Sequence, residues 1–429
     1  MRIVAGLAVI SIGCFLIFPR TAPGALIALA ALISFAGAKG FTVPARAGVP
    51  TTIAAFLALA VWAAVSTVWA ADRTEAIAKS LMLLAFTCAT WWGYGALAAA
   101  RPQLLRHAGW TMLVAFGVGL AFLAQEEITG HTVKRLLFFF LPFTRPDAKH
   151  IVDADNDLLV APYISNRNMA AAMLALWPML SMVQSIVQRR WRLGVSAGLV
   201  ALAVVTFAIS KHETSSIALV ASLLVFAVGS RWPKLALYMV AAGWLAATLL
   251  MVPLTAWALH GAQLQSAQWL PNSARHRIVL WGYTAERVQQ HPLIGVGAAS
   301  TKALDSRRGP KVDVYPGTPY QWRSGTHAHN VYLQTWYELG GVGALVLCAA
   351  GLALIAAIAK LPRGVVPFAA ACLVSSAAMG ASSWGMWQEW FVAAFGISAV
   401  LMGFAIALAT SADAERSEYV ASPARAPSA

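Results

Sequence analysis

Residues 323–343 read RSGTHAHNVYLQTWYELGGVG and set polar side chains directly against the start of a long apolar run. A helix beginning near Asn330 would place Asn330, Gln334 and Glu338 on one stripe of its surface, since the three are spaced four residues apart. His329 lies nine residues before Glu338, so on a continuous helix about 900° of rotation would point the two to opposite sides. The pattern predicts a polar mouth on a hydrophobic helix and argues against a His-Glu dyad.

The composition is typical of a polytopic membrane protein. Hydrophobic residues make up 59% of the chain and charged residues 11%, with a mean hydropathy of +0.67. In soluble proteins about a quarter of all residues are charged. A bilayer core of about 30 Å requires about 20 apolar residues per helix. Twelve apolar runs, a few of them short, lie near residues 3–18, 22–38, 51–71, 78–98, 107–124, 168–187, 194–210, 215–229, 235–258, 338–359, 364–380 and 389–410. We therefore predict an all-α polytopic protein with about twelve transmembrane helices in a single transmembrane domain, 1–429.

The Lys and Arg residues between these runs predict the orientation in the membrane. With a cytoplasmic N-terminus, the inside segments carry most of these charges and the short outside loops carry few. The first run could be a signal peptide or a retained signal anchor, and the eleven spans behind it favour the anchor. Both termini are then cytoplasmic, with residues 411–429 as a short tail. Residues 125–167 and 259–328 form two long outside loops.

The two outside loops are basic, with thirteen Lys and Arg against nine Asp and Glu. This charge is consistent with attraction to anionic lipid headgroups, or with a cationic site for a phosphorylated lipid substrate. Nucleic acid is a poor candidate, because the charge lies outside the cytoplasm and is not interleaved with surface aromatic residues.

The first outside loop contains three features. Residues 136–143 are apolar but too short to cross the membrane, and they predict a segment lying in the membrane interface beside a lipid tail. Residues 153–157 superficially imitate a calcium loop but lack its Gly and bidentate Glu, so a solvated acidic turn and a divalent-metal site stay open. Arg167, between Asn166 and Asn168, could extend to the membrane interface or present a planar fork to phosphate oxygens.

The second outside loop begins with a predicted amphipathic helix over residues 273–290, which places Arg277 and Trp281 on one face. Residues 292–297, PLIGVG, then end the helix. Arg275 could face solvent or exchange roles with Arg277. Residues 300–320 could be a mobile substrate flap or a connector. His327 and His329 could begin a metal site, although no third ligand is evident nearby.

Together these motifs resemble the O-antigen ligase and polymerase superfamily of bacterial lipid-linked sugar transferases. The matching residues are Asn166-Arg167-Asn168, Arg277 four before Trp281, Pro292 to Gly297, and His329-Asn330 followed by Leu333, Gln334, Glu338 and Gly340. The resemblance covers most of residues 160–345 by motif and the rest by topology. It implies a GT-C-like membrane fold with a large periplasmic loop region, in which residues 259–328 carry part of the active site.

Among these enzymes the chain is most similar to O-antigen ligases. The resemblance implies a donor O-antigen on undecaprenyl diphosphate, an acceptor hydroxyl of lipid A core, and a periplasmic active site in the bacterial inner membrane. Transfer would invert the anomeric centre and need no metal or other cofactor. His329 is the expected base, since a histidine is partly neutral near pH 7. Arg167 and Arg277 are the expected diphosphate ligands, with Arg323 as a third cation. Asn330, Gln334, Glu338, Arg275 and Trp281 are expected to support the site.

Several alternatives stay open. O-antigen polymerases and protein O-oligosaccharyltransferases of the same superfamily share the architecture, although the short polar tail lacks the C-terminal domain often found in the oligosaccharyltransferases. A lipid-linked sugar transporter or flippase would share a basic cavity, but it would form no glycosidic bond, and the chain shows no internal repeat.

Overall fold

The computed structural model describes residues 2–35, 50–97, 100–141, 151–154, 157–160, 162–307 and 313–421. Within these ranges the chain is almost entirely helical. Its α-helices are α1 Arg2–Ile17, α2 Ala22–Phe35, α3 Thr51–Val65, α4 Arg73–Leu97, α5 Pro102–Ile128, α6 Thr132–Phe140, α7 Asn166–Ile186, α8 Arg189–Ser210, α9 Glu213–Arg231, α10 Pro233–Leu249, α11 Met251–Ala256, α12 Asn272–Val288, α13 Ser300–Ser306, α14 Val331–Ile358, α15 Val366–Ser382 and α16 Glu389–Ala421. Short 3₁₀ segments lie at Pro19–Thr21, Ser66–Val68, Pro162–Ser165 and Leu264–Ser266, and a π-helical turn at Trp257–Gly261.

Each of the twelve predicted apolar runs contains a helix within its described residues. In the described part of the chain, eight helices are long and apolar enough to cross a membrane, or nine if α10 and the helical segment after it, bent by 70°, form one span. Shorter apolar helices cover Gly6–Ile17, Pro19–Ser34 and Val366–Ser382. The helical, membrane-type architecture is confirmed, while the count of twelve crossings and their orientation stay predictions.

The all-α class is confirmed, with one short exception to the helical pattern. Strands β1 Ile151–Ala154 and β2 Asp157–Val160 form an antiparallel pair that aligns Ile151 with Val160 and Ala154 with Asp157. The local sequences IVDA and DLLV are rich in branched apolar residues, which favour extended backbone. Residues 155 and 156, at the centre of the predicted acidic turn, lie outside the described residues.

Other predicted features also reach beyond the described residues. Among these are the end of the interfacial segment at 142–143, the centre of the 300–320 segment at 308–312, and the tail beyond residue 421. The described part of the interfacial segment is α6, which leaves Phe139 64% and Phe140 71% exposed. The predicted tail begins as helix, because α16 continues to Ala421.

Packing divides the chain into two compact units. The first comprises Met1–Ala45, Trp92–Val220 and Ala394–Ala429, and the second comprises Arg46–Trp91 and Ala221–Ala393. In the first unit α7 is largely buried, because α1, α5 and α8 all pack against it. The predicted domain boundaries stay predictions.

Helix α14 is the centre of the second unit. It packs against α3, α10, α12 and α15. Leu59 and Ala63 of α3 meet Leu339 and Leu347 of α14 in a shared apolar core. Small residues such as Ala63 allow helix backbones to approach closely in an apolar environment. Helix α14, which begins directly after Asn330, is therefore packed against other helices on several faces.

Candidate active site

Asn330 fixes the position at which α14 begins. Its backbone is extended, and its Oδ1 accepts a hydrogen bond of 3.0 Å from the Leu333 amide. Asparagine is a preferred N-cap because its side-chain oxygen satisfies one of the unpaired amides of the first turn. The Asn330 amide nitrogen also donates to Met251 Sδ at 3.3 Å. This cap leaves His329 just outside the helix.

His329 presents one nitrogen as a base. Its backbone is left-handed, with φ of 54°, a conformation that few non-glycine residues adopt. Nδ1 lies 2.7 Å from the carbonyl oxygen of Ser383, in the connection from α15 to α16. A carbonyl oxygen can only accept, so Nδ1 carries the proton and Nε2 keeps the lone pair. Within the described residues no hydrogen bond occupies that lone pair.

Burial and nearby positive charge keep His329 neutral. Burial lowers the pKa of its imidazole below the usual 6.5, the hydrogen bond to Ser383 raises that pKa, and the charges of Arg277 and His276 lower it. The pKa of His327 falls to about 3 for the same reasons, burial first, then the nearby His329 and Arg277. Both imidazoles are therefore in their neutral form, with one N–H each, near pH 7.

Trp281 holds the segment that carries the two histidines. Its indole Nε1 donates to the carbonyl oxygen of Ala328, between His327 and His329, at 2.8 Å. The rings of His327 and His329 are in contact, with centroids 4.1 Å apart and planes tilted by 44°. The supporting position predicted for Trp281 thus corresponds to a direct bond to this segment.

Arg277 and Arg275 lie in the first half of α12 and are both half-buried. The charge of Arg277 reaches both histidines, as their pKa shifts indicate. The Nε of Arg275 is buried and has no hydrogen-bond partner among the described residues. Helix α12, with Trp281 one turn after Arg277, therefore brings positive charge beside His329.

Arg323 is engaged in a salt bridge. Its Nε lies 3.0 Å from both carboxylate oxygens of Asp305, and its Nη2 also donates to that carboxylate. This contact raises the pKa of Arg323 further above its usual value. Asp305 is buried and also accepts a 3.1 Å bond from the Gly325 amide. The Nε and Nη2 donors of Arg323, which the predicted diphosphate contact would use, are thus bound to Asp305.

Glu338 is fully buried and accepts hydrogen bonds from five donors. The amides of Ala299 and Thr301 donate at 2.8 and 3.1 Å, and the Gln334 amide donates at 3.1 Å. The Thr301 hydroxyl and the Trp387 indole also donate to this carboxylate. Gln334 in turn accepts from the Met386 amide at 3.1 Å. None of these bonds involves His329. Glu338 and Gln334 instead connect α14 to the segment that contains Ala299 and to the segment that contains Met386.

The PLIGVG segment crosses α14 where that helix is broken. Gly340 has φ of 67° inside α14, and a Cβ there would lie 2.3 Å from the Leu293 carbonyl oxygen. Gly295 has the same restriction, since its Cβ would lie 2.4 Å from the Glu338 backbone. Amide-to-carbonyl bonds of 3.0 Å from Val296 to Tyr337 and of 2.8 Å from Gly297 to Glu338 close the crossing. The glycines are needed because two backbones touch.

Lowering the pH is expected to destabilise the folded protein through His327. Its folded pKa of about 3 lies below the ordinary value of 6.5, so between these values the unfolded chain binds the extra proton. Its stabilising contribution is complete above pH 6.5 and falls as the pH drops, by about 2 kcal/mol at pH 5. Melting curves at pH 7.5 and 5.0 should show a larger loss for wild type than for His327→Gln. Equal losses in wild type and His327→Gln would contradict this prediction.

These elements lie largely in a part of the chain that has known relatives. Residues 198–348 match a family model described as O-antigen ligase. This is about a third of the chain, and it confirms the resemblance predicted from the motifs.

Three rickettsial proteins, each provisionally named a polysaccharide ligase, are similar over a part of the chain. The protein of Rickettsia conorii is 28% identical over 122 residues, that of Rickettsia felis 27% over 124 residues, and that of Rickettsia prowazekii 32% over 124 residues. In each case the similar part is 28% of this chain and spans 29% of the relative's length.

The residues that match the O-antigen ligase family model include Arg277, Trp281, His329 and Glu338, but neither Ser383 nor Arg167. Arg167 lies at the start of α7 in the first unit and is half-buried. Next to it in sequence, Asn168 donates to the carbonyl oxygen of Leu16 at 2.7 Å. Ser165 accepts from Lys134 Nζ at 2.6 Å. That Arg167 shares a site with His329 stays a prediction.

Sequence reasoning missed three contributors to the site. Ser383 acts through a backbone carbonyl, which every residue has, so no sequence signal marks it. Asp305 is an isolated acid in a basic segment, and that isolation could have indicated an ion pair. Gly385 adjoins His327, since a Cβ there would lie 2.7 Å from the His327 Cβ. Its position between two apolar runs could have indicated a close turn.

Among the described residues, no group of three or more potential metal-ligand side chains forms.

Proposed function

We propose that the protein is an O-antigen ligase, which transfers O-antigen polysaccharide from undecaprenyl diphosphate to a sugar hydroxyl of lipid A core. The observation that carries the proposal is His329, whose Nδ1 proton is committed to Ser383 and whose Nε2 lone pair is available. This imidazole lies in the O-antigen ligase family domain, beside the positive charge of Arg277. The provisional names of the rickettsial relatives support the same reaction class.

The transfer needs a base for the acceptor. His329 Nε2 takes the proton of the acceptor hydroxyl as the hydroxyl oxygen attacks the anomeric carbon of the donor sugar. General-base assistance of this kind accelerates a reaction by about 10²- to 10⁴-fold. The bond between the anomeric carbon and the diphosphate oxygen breaks at the same step, so the anomeric configuration inverts.

The transfer also needs positive charge for the leaving group. The departing undecaprenyl diphosphate gains negative charge, which guanidinium groups stabilise best when they are held in place beforehand. Arg277 supplies this charge from α12, and the role expected of Arg167 stays a prediction from sequence. Arg323 has a different role in this proposal: its bond to Asp305 fixes the segment before His327, because Asp305 also holds the Gly325 amide.

The proposed orientation puts this chemistry at the periplasmic face of the bacterial inner membrane, with both termini in the cytoplasm. The exposed phenylalanines of α6 would then lie in the outer leaflet, where they contact lipid tails. Aromatic and aliphatic side chains on one helix face are typical of an interfacial segment. The basic outer loops would lie near the phosphorylated acceptor.

Replacing Arg277 by Lys is expected to lower kcat/KM at least about tenfold, because one ammonium group cannot reproduce the two parallel hydrogen bonds of a guanidinium. Arg167→Lys should act in the same direction. The measurement is turnover of a purified undecaprenyl-diphosphate-linked glycan by each variant. Arg363→Lys, at an exposed arginine, is the matched control and should retain wild-type turnover. Wild-type turnover by both Arg277→Lys and Arg167→Lys would contradict the diphosphate contact.

One experiment separates the proposed ligase from its alternatives. Purified protein in liposomes receives an undecaprenyl-diphosphate-linked glycan together with either lipid A core or a second molecule of donor. Transfer to lipid A core supports the ligase, elongation of the donor glycan identifies a polymerase instead, and movement of donor across the membrane without a new bond identifies a transporter. The last two results would each overturn the proposal.

A further inference from the structure

His327 has no role in the reaction described so far, yet it is the side chain in closest ring contact with the base. The ring centroids of His327 and His329 are 4.1 Å apart. On another side, His327 adjoins Gly385, where any Cβ would meet it at 2.7 Å. Its position is therefore tightly constrained by the connection between α15 and α16.

The hydrogen bonds of His327 do not reach His329. Nδ1 lies 2.9 Å from the neighbouring Thr326 hydroxyl. Nε2 is buried and has no hydrogen-bond partner among the described residues. A buried polar atom without a partner destabilises a structure. Among the described residues, the contact that joins His327 to His329 is therefore the one between their rings.

The charges around His329 show what such a contact can do. When His329 takes the acceptor proton it becomes a cation, and the nearby positive charge of Arg277 from α12 opposes that change. The connection between α15 and α16 contributes the Ser383 carbonyl, which favours the cation through Nδ1. His327 stays neutral near pH 7, because its pKa is about 3. A neutral aromatic face beside a cation is attractive.

We propose that His327 is a positioning residue whose aromatic face holds the His329 ring and stabilises the imidazolium formed during transfer, without taking the proton itself. This inference rests on the proposed role of His329 as base. It assigns the catalytic benefit of His327 to its ring and none to its nitrogens.

The test compares three replacements that all remove the imidazole. His327→Phe keeps an aromatic face, His327→Leu keeps apolar volume, and His327→Gln keeps a polar amide. We expect Phe to retain kcat within about threefold of wild type, and both Leu and Gln to lower kcat about tenfold at unchanged KM. Equal kcat in the Phe and Leu variants, or a fall confined to KM, would overturn the proposal.

A second measurement does not depend on the Phe variant folding. Nitrogen-15 NMR of labelled histidines in the full-length protein follows the titration of His329 in wild type and in His327→Gln. Loss of the ring should lower the pKa of His329, and the acid limb of kcat/KM should move to lower pH by the same amount. A purely structural role would leave both unchanged, and an unchanged or raised pKa would contradict the inference.

The proposed roles of His329 and His327 can be tested separately. If His329→Asn retains wild-type turnover, the proposed base is wrong. If His329→Asn is inactive while His327→Phe and His327→Leu are equally active, the base stands and only the role of His327 is overturned.

Discussion

Replacing His329 by Ala is expected to lower kcat/KM for glycan transfer by on the order of 10³-fold while the protein still accumulates in the membrane. The loss follows from the geometry: Nδ1 is committed to the Ser383 carbonyl, so Nε2 is the nitrogen that can accept the proton of the attacking hydroxyl. The measurement is the rate of product formation with purified donor and lipid A core.

The control for this prediction must allow for the unusual backbone of His329. With φ of 54°, His329 already carries the strain of a left-handed backbone, and asparagine tolerates this region better than alanine. His329→Asn should therefore match wild type in yield and melting temperature and still be as inactive as His329→Ala. Wild-type lipopolysaccharide ladders from cells that carry either variant would contradict the assignment of the base.

Replacing Gly340 by Ala is expected to prevent normal folding. The new Cβ would lie 2.3 Å from the Leu293 carbonyl oxygen and 2.5 Å from the Gly295 amide nitrogen, and both are backbone atoms that cannot rotate away. The positive φ of Gly340 adds further strain. Together these effects are expected to cost roughly 3–5 kcal/mol. The measurement is the yield of monodisperse protein after extraction, together with its melting temperature.

A matched substitution distinguishes crowding from the general loss of a glycine. Gly364→Ala lies in the same unit, where a Cβ would meet no atom within 4 Å, and it should leave yield and melting temperature unchanged. Gly295→Ala should reproduce the defect of Gly340→Ala, because it blocks the same crossing from the other backbone. Normal yield from both Gly295→Ala and Gly340→Ala would show that the two segments do not cross as described.

The helices of this protein were predictable from sequence because the physical cause is local. A run of about 20 apolar residues must form a helix in lipid, since no water is present to satisfy its backbone. The amphipathic helix expected over 273–290 is α12, and the helix expected from about Asn330 is α14. Strands β1 and β2 were missed because strands of four residues carry too little periodicity to be recognised.

The sequence correctly separated His329 from Glu338, but the helical geometry on which that prediction depended applies only to Glu338. The sequence argument assumed one continuous helix through both residues. In the structure His329 lies before the helix, in a left-handed turn set by the Asn330 cap. Glu338 faces the Ala299 and Thr301 amides, which come from a segment about forty residues earlier in sequence. A contact between such distant residues has no local pattern from which it could be predicted.

The same limit explains the interpretation of Arg323. Its place among basic residues near the histidines suggested a phosphate ligand. Its partner Asp305 precedes it by 18 residues, and a basic stretch with three prolines separates the two. Charge type can be taken from sequence, whereas the partner of a charge depends on how the chain folds back. The ion pair between Arg323 and Asp305 could therefore be identified only in the structure, and the diphosphate contact expected of Arg323 stays a prediction.

The most direct test of the central claim is a product analysis with wild type and His329→Asn side by side in liposomes. Each sample receives an undecaprenyl-diphosphate-linked glycan and lipid A core, and mass spectrometry and NMR follow the donor, the free undecaprenyl diphosphate and the new linkage. For wild type we predict one inverted glycosidic bond to lipid A core for each undecaprenyl diphosphate released, and for His329→Asn neither product. Equal product from both proteins, or release of undecaprenyl diphosphate without a bond to lipid A core, would contradict the account.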